Sequence, residues 1–169
     1  LGPLAESVED SAGVVFVPAF AGLGSPWWDP WARGTIIGLT RGTGRAELAR
    51  AVIEAMAFQT RDVVEAMGEA GAQPLTGLKV DGGAAAMDLL MKLQADQLGV
   101  PVTRSATTET TALGAAFFAG LAENLWSSTE ELAGLWRGDP AVEPATDRRA
   151  AEVSYRRWLE AVERSRRWA

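Results

Sequence analysis

Residues 78–103 read LKVDGGAAAMDLLMKLQADQLGVPVT, and this stretch decides the fold. Its first three residues are typical of a strand, which ends at the tight turn Asp81-Gly82-Gly83. A helix is predicted from about Met87 to Leu98, because Gly99 and Pro101 are residues that typically follow a helix end. The stretch closes on a second predicted strand. A strand, a helix and a strand in this order indicate an α/β unit.

The segments on either side continue the alternation. Strands are predicted at 14–17 and 35–39, and helices at 47–67, 111–121, from about 128, and in the last segment of the chain. The helix at 47–67 is expected to be capped by Thr43 or Gly44. The last helix should direct Val153, Tyr155, Leu159 and Val162 toward a core, and the Pro-rich, acidic stretch at 138–146 has the composition of a linker. The fold class is therefore predicted to be α/β, with helices layered on a sheet.

The composition excludes several kinds of site. The chain has no cysteine and no histidine, so disulfides, thiolate metal sites and Ser-His catalysis are excluded. A net charge of −6 argues against nonspecific binding of nucleic acid. No apolar run approaches the roughly 20 residues that cross a bilayer, so no membrane span is expected and the cytoplasm is the expected location. Because the chain begins at Leu1, we expect it to be a processed protein or a piece of a longer one.

The turn Asp81-Gly82-Gly83 is the candidate for chemistry. Ligands bind at the carboxyl ends of strands in α/β sheets, and helix N-termini attract phosphate through their free amides. Two glycines would let the backbone approach such a ligand closely. The turn matches neither the dinucleotide fingerprint nor the Walker A pattern, and by itself it is more typical of a turn that binds nothing. Asp81 is expected to hold the turn by accepting amide hydrogen bonds.

Two further segments have both a structural and a functional interpretation. The run Trp27-Trp28-Asp29-Pro30-Trp31 could stack on a sugar, but a loop fastened by buried indoles is the preferred interpretation. Glu109 and the neighbouring threonines are predicted to lead into the helix at 111–121 and to cap it. These threonines are Thr107, Thr108, Thr110 and Thr111.

Several stretches resemble the FGGY carbohydrate kinases. Gly34–Leu39, Glu47-Leu48 and Ala51–Glu54 are similar to the second signature of that family at every constrained position. Within the family, the residues from Phe16 to Pro30 resemble the glycerol kinases, whereas xylulose and gluconate kinases have a Gly-Glu-Arg-x-Pro form there. Phe58–Val63 and Thr111–Ala116 are also similar to glycerol kinases. The resemblance runs from about Gly13 nearly to the C-terminus.

The resemblance implies a fold of the actin, hexokinase and Hsp70 type, with ATP and substrate between two ribonuclease-H-like lobes. Residues 1–169 would form an incomplete C-terminal lobe, with a core at 13–137 and a C-terminal helix at 147–169. The implied function is the nucleotide-binding part of an ATP-dependent glycerol kinase that uses Mg²⁺, is inactive alone and belongs to a homo-oligomer. The alternatives are a kinase of another polyol or ketose and a non-catalytic interaction module.

The resemblance also implies which residues bind the nucleotide. The family's adenosine motif matches the glycine turn, so Gly82, Gly83, Ala84 and Met87 are the expected cofactor-binding residues. Glycerol kinases usually have an asparagine where Met87 stands, and a thioether cannot replace the donor and acceptor of an amide. No catalytic residue and no metal ligand is expected within the chain, because the family places the catalytic aspartate upstream.

Overall fold

The computed structural model describes residues 1–169. The helices are α1 (Gly2–Ala5), α2 (Arg45–Glu69), α3 (Asp88–Leu98), α4 (Thr110–Ala122), α5 (Thr129–Ala133) and α6 (Arg149–Ser165). The strands are β1 (Val15–Val17), β2 (Thr35–Ile37), β3 (Leu78–Val80) and β4 (Val102–Arg104), and a 3₁₀ turn covers Gly83–Ala86. The predicted elements are confirmed, with ends that differ by one or two residues, except that the last helix ends at Ser165 rather than at residue 169. Helix α1 and the 3₁₀ turn were not predicted.

The four strands form two separate two-stranded sheets. β1 and β2 are antiparallel, with Phe16 opposite Ile36, whereas β3 and β4 are parallel, with Leu78 opposite Val102. Parallel neighbours require a crossover connection, and α3 provides it. The α/β unit predicted for residues 78–103 is therefore confirmed.

Helix α2 joins the two sheets. It begins after Gly44, whose amide donates to the Glu47 side chain at 2.8 Å, as the predicted cap requires. Phe58 belongs to a core cluster formed with β1 and α6, and Ile53 to a second cluster formed with α1, α3 and β4. Burial of each such side chain contributes about 1.5–3 kcal/mol. Because α2 contributes to both clusters, it fixes the two sheets relative to each other.

Helix α6 completes the first cluster. Tyr155, Trp158 and Val162 are buried, and the Trp158 ring stacks on Phe58 with a centroid distance of 5.5 Å. The prediction that Val153 faces the core is wrong, because that side chain is exposed. At about 100° per residue, Val153 lies on the opposite side of the helix from Tyr155, whereas Trp158 shares the buried face.

Residues 138–146 run along β4. Val142 and Val102 exchange two backbone hydrogen bonds, at 2.8 and 3.0 Å, and Gly138 forms a bridge with Ser105. The predicted linker is therefore paired with the sheet on its way to α6. The division of the chain into a core at 13–137 and a C-terminal segment at 147–169 stays a prediction.

The tryptophan-rich loop is held by a carboxylate rather than by buried indoles. Trp28 and Trp31 are 75% and 58% exposed, so the preferred interpretation is wrong for these two residues. Asp29 is buried and accepts hydrogen bonds of 2.9–3.1 Å from the amides of Trp31, Ala32 and Arg167. Burial alone would raise the pKa of Asp29, but these three amides hold it below its ordinary value. The sugar-stacking alternative stays untested.

None of the six helices is both long enough and apolar enough to cross a bilayer.

Candidate functional site

The candidate site lies where the carboxyl ends of β3 and β4 meet the starts of α3 and α4. Val80 pairs with Arg104 at the ends of the two strands, and the Ser105 amide donates to the Val80 carbonyl at 2.8 Å. Asp81 follows β3 directly, and its carboxylate accepts a hydrogen bond from the hydroxyl of Thr110, the first residue of α4. The parallel pairing thus brings two helix starts to one edge of the sheet.

The glycine turn continues into the 3₁₀ turn Gly83–Ala86, which is separate from α3. Gly82 precedes it with φ 82° and ψ 175°, a conformation that is essentially restricted to glycine. The Ala85 amide donates to the Gly82 carbonyl at 3.1 Å, and the Met87 amide donates to the Ala84 carbonyl at 3.1 Å. The helix proper then begins at Asp88. The turn therefore spaces the glycines away from the helix start, which the sequence pattern did not indicate.

The turn presents its backbone to solvent. Gly83 and Ala84 are exposed, and their amides donate to no acceptor within residues 1–169. Apart from its neighbours along the chain, no protein atom lies within 4 Å of the position that a Cβ of Gly83 would occupy. Two adjacent free amides at the end of a parallel strand are suited to bind an anionic group such as a phosphate.

Ala85 fixes the turn to the protein. Its methyl group is buried in the second core cluster, which also contains Ile53 and Met91. Its carbonyl accepts a hydrogen bond of 2.5 Å from Nε of Arg104, whose Nη2 donates to Asp88 at 2.6 Å. The sequence pattern did not point to Arg104, because one arginine at the end of a short strand gives no local sign of its partners.

Met87 occupies the N-cap position of α3 without a side-chain cap hydrogen bond. Its side chain is half-buried and packs against the second core cluster. The Cβ position of Gly2 lies 3.8 Å from its Cγ, so α1 is a neighbour of this side chain. The thioether is thus partly engaged by the protein, and its contact with a nucleotide stays a prediction.

Two predictions about this site are wrong. The Asp81 carboxylate accepts a hydrogen bond from the Thr110 hydroxyl of α4, and it accepts none from the amides of the turn. Glu109 is the N-cap residue of α4, but no side chain caps that helix. The first difference arises because β4 lies beside β3, which places the start of α4 next to Asp81.

The sequence nominated no catalytic residue or metal ligand in this chain. Within residues 1–169, no three acidic side chains come together as a group that could hold a metal ion. A cavity of about 570 Å³ is lined by residues of the 9–15 segment, α2, α3 and α6 and does not include the glycine turn. Arg50 and Glu54, which line this cavity, are paired with each other at 2.9 Å. We therefore assign the candidate site to the turn, whose amides are free.

Comparison with known proteins supports the resemblance. The C-terminal domain of the FGGY family of carbohydrate kinases matches residues 3–123. The chain belongs to this family. A glycerol kinase from Aromatoleum aromaticum is 61% identical over 167 residues, which cover 98% of this chain and 33% of that protein. The chain thus spans about a third of the length of the curated relatives that it matches, and it corresponds to their C-terminal part.

Solved structures of this family have the same fold. The crystal structure of Plasmodium falciparum glycerol kinase with ADP superposes with a TM-score of 0.83 and 34% identity, over 97% of this chain and 33% of that one. A gluconate kinase from Lactobacillus acidophilus superposes with a TM-score of 0.79 and 27% identity, over 94% and 32%. The prediction of an α/β fold that forms part of a ribonuclease-H-like ATPase lobe is confirmed.

Proposed function

We propose that this chain is the nucleotide-binding C-terminal part of an ATP-dependent glycerol kinase, which converts glycerol and ATP into glycerol 3-phosphate and ADP. The observation that carries the proposal is the 61% identity to a glycerol kinase over nearly the whole chain. The structural relative with the same fold and 34% identity is a glycerol kinase with ADP. A nucleotide-binding role also agrees with the exposed glycine turn.

The proposed cofactor-binding residues are Gly82, Gly83, Ala84 and Met87. The free amides of Gly83 and Ala84 would donate to the nucleotide, and the missing side chain of Gly83 would let the nucleotide approach the backbone. Met87 would pack on the base with the exposed part of its thioether. These contacts position ATP and perform no proton transfer.

Mg²⁺ is proposed as a cofactor of the complete kinase because the family resemblance implies it. In phosphoryl transfer the ion neutralises charge on the phosphates. The residues of this chain form no group that fits a metal ion, so no step is assigned to Mg²⁺ here. The catalytic aspartate is likewise proposed to lie in the remainder of the kinase. A homo-oligomeric state and a cytoplasmic location stay predictions.

Two alternatives remain testable. The gluconate kinase has the same fold, which keeps a kinase of another polyol or ketose as one alternative. A non-catalytic interaction module is the other, and Met87 in place of the family's asparagine favours it. The identity to glycerol kinases favours the glycerol kinase over both.

The test is a coupled ADP-release assay of the complete kinase with glycerol, xylulose and gluconate as separate substrates. We expect kcat/KM for glycerol to exceed that for either sugar by about 100-fold or more, because a polar pocket discriminates strongly against a mismatched hydroxyl pattern. The 169-residue chain alone should show no glycerol-dependent turnover. A sugar preference would support the other kinase, and a complete protein that neither turns over nor binds ATP would support the interaction module. Turnover by the chain alone would contradict our proposal.

A further inference from the structure

Arg104 connects the sheet to the glycine turn. It is the last residue of β4 and pairs with Val80, so its backbone belongs to the parallel sheet. Its Nε donates to the Ala85 carbonyl at 2.5 Å and its Nη2 to the Asp88 carboxylate at 2.6 Å. One guanidinium therefore contacts both the 3₁₀ turn and the first residue of α3.

The turn has few other attachments. Its internal hydrogen bonds link the turn to itself and to the adjoining Met87, and the Ala85 methyl is the part that enters the core. On the outer side, apart from its neighbours along the chain, Gly83 has no protein atom within 4 Å of its Cβ position. The contact from Arg104 is thus the polar tie between the 3₁₀ turn and the sheet, whereas the hydrogen bond between Asp81 and Thr110 joins the end of β3 to α4.

The geometry requires a guanidinium. Two donors on different nitrogen atoms point to two acceptors at once, and Nη1 lies 3.6 Å from a third group, the Asp139 carboxylate. A lysine ammonium is a compact charge and cannot reproduce this fork. The Arg104 side chain is 26% exposed and its contact with the Ala85 carbonyl is half-buried, whereas the Asp88 carboxylate is 89% exposed, so water competes mainly for the Asp88 contact.

We propose that Arg104 is a positioning residue for the nucleotide site, which holds the glycine turn in the conformation that binds ATP. This inference rests on the proposed function of the turn. Without the guanidinium, the turn would sample other conformations, and the apparent Kd for ATP would rise in proportion to the loss of the competent one. Arg104 would not contact the nucleotide itself.

The experiment compares substitutions of two arginines at opposite ends of α3 in the complete kinase. Arg148 is the matched control, because it donates to the carbonyls of Asp96 and Gln97 at 3.2 and 2.7 Å, at the C-terminal end of that helix. We expect Arg104→Met to raise the ATP Kd, measured by calorimetry, about tenfold, and Arg104→Lys about threefold. Arg148→Met should change the ATP Kd less than about twofold. The KM for glycerol and kcat at saturating ATP should stay unchanged in all three.

Several outcomes would overturn the inference. One is normal ATP affinity in both Arg104→Lys and Arg104→Met. Another is a loss of ATP affinity in Arg148→Met as large as that in Arg104→Met, which would indicate general weakening of α3. If Arg104→Met does not fold, Arg104→Lys decides, since it retains the charge and the apolar stem. If the complete kinase does not phosphorylate glycerol but Arg104→Met still raises its ATP Kd, the proposed function is contradicted and this inference is not. Normal glycerol phosphorylation with unchanged ATP affinity in the Arg104 variants would contradict this inference alone.

Discussion

Gly82 and Gly83 are adjacent, but they lack side chains for different physical reasons. Gly82 has φ 82°, a backbone conformation that a side chain would strain. Gly83 has no positive φ, and the space around its Cβ position is open. The fold therefore requires glycine at position 82, whereas at position 83 only a bound ligand could require it.

This contrast sharpens the test of the nucleotide site. Gly83→Val should leave the thermal stability of the complete kinase nearly unchanged in the absence of ATP but raise the ATP KM by tenfold or more, about 1.4 kcal/mol. Glycerol binding without nucleotide should be unchanged. Gly82→Ala, the control, should lower stability by about 1–3 kcal/mol even without ATP. Normal ATP affinity in folded Gly83→Val would show that the turn is structural only.

Met87→Asn tests the departure from the family pattern. Asparagine is a good N-cap residue, worth about 1 kcal/mol, and position 87 has no side-chain cap. This gain should offset the packing lost beside α1, so we expect a stability change below about 1 kcal/mol. One added hydrogen bond to the base should lower the ATP Kd by about fivefold and increase discrimination against GTP. Calorimetric titration with ATP and GTP measures both, and a weaker affinity for ATP would contradict the assignment.

At the scale of elements, Asp62 links α2 to α6 and to the tryptophan-rich loop. Its buried carboxylate accepts hydrogen bonds from the Tyr155 hydroxyl at 2.7 Å, from Trp158 Nε1 at 2.9 Å and from Trp27 Nε1 at 3.2 Å. Burial raises the pKa of Asp62 above its ordinary value of 3.8, and the three hydrogen bonds offset this only in part. The same burial, together with the carboxylate, raises the pKa of Tyr155. A carboxylate without a cationic partner thus organises the first core cluster.

Substitutions of Asp62 should separate its hydrogen bonds from its charge. Asp62→Ala leaves two buried donors and the half-buried Trp27 indole unpaired and should lower the free energy of unfolding by about 3 kcal/mol or more. Asp62→Asn should cost less than about 1 kcal/mol, because its oxygen can accept from both indoles while its amide donates to the Tyr155 hydroxyl oxygen. Urea unfolding of the complete kinase, followed by tryptophan fluorescence, measures these changes. Equal losses in the two variants would contradict this account.

The pH dependence follows from the direction of the shift. Because the pKa of Asp62 is raised in the folded state, the stability from its protonated form is present below pH 3.8 and is lost as pH rises through the folded pKa. The stability of Asp62→Asn relative to the parent should therefore improve as pH rises from about 4 to about 7. A difference that is independent of pH would show that the carboxyl has an ordinary pKa.

At the scale of the whole molecule, the chain exposes more surface than its mass predicts. Its accessible surface is 10291 Å², whereas a monomeric globular protein of 17.9 kDa exposes about 8000 Å². The exposed apolar side chains include Phe20, Leu39, Phe118 and Leu125. The excess of roughly 2300 Å² is comparable to an obligate protein interface.

We therefore expect the isolated 169-residue chain to self-associate. Exposed apolar patches beyond a few hundred Å² usually bind a partner, and here the apolar side of α4 around Phe118 has no cover within the chain. Sedimentation velocity should show concentration-dependent oligomers, and a hydrophobic dye should bind. The complete kinase at equal molar concentration is the control and should bind less dye. A monomer that binds no dye would contradict the expectation.

The sequence alone determined the local features of this protein. The strand at 78–80, the turn at Gly82 and Gly83, and the end of α3 at Gly99 each depend on residues close together in the chain. Gly99 has φ 70°, the left-handed conformation that a glycine after a helix indicates. The resemblance to a family was also available, because its signatures are continuous stretches of sequence.

Tertiary structure decided which distant residues meet. Asp62 and Trp158 are 96 positions apart, and Arg104 and Ala85 are 19 positions apart. The sequence does not indicate either contact, because the hydrophobic periodicity of a helix or strand shows which of its faces is buried but not which residues pack against that face. The pairing of β3 with β4 brought Thr110 to Asp81, and the buried carboxylate of Asp29 left Trp28 and Trp31 exposed. These contacts follow from the packing of the two sheets on α2, which only the folded chain contains.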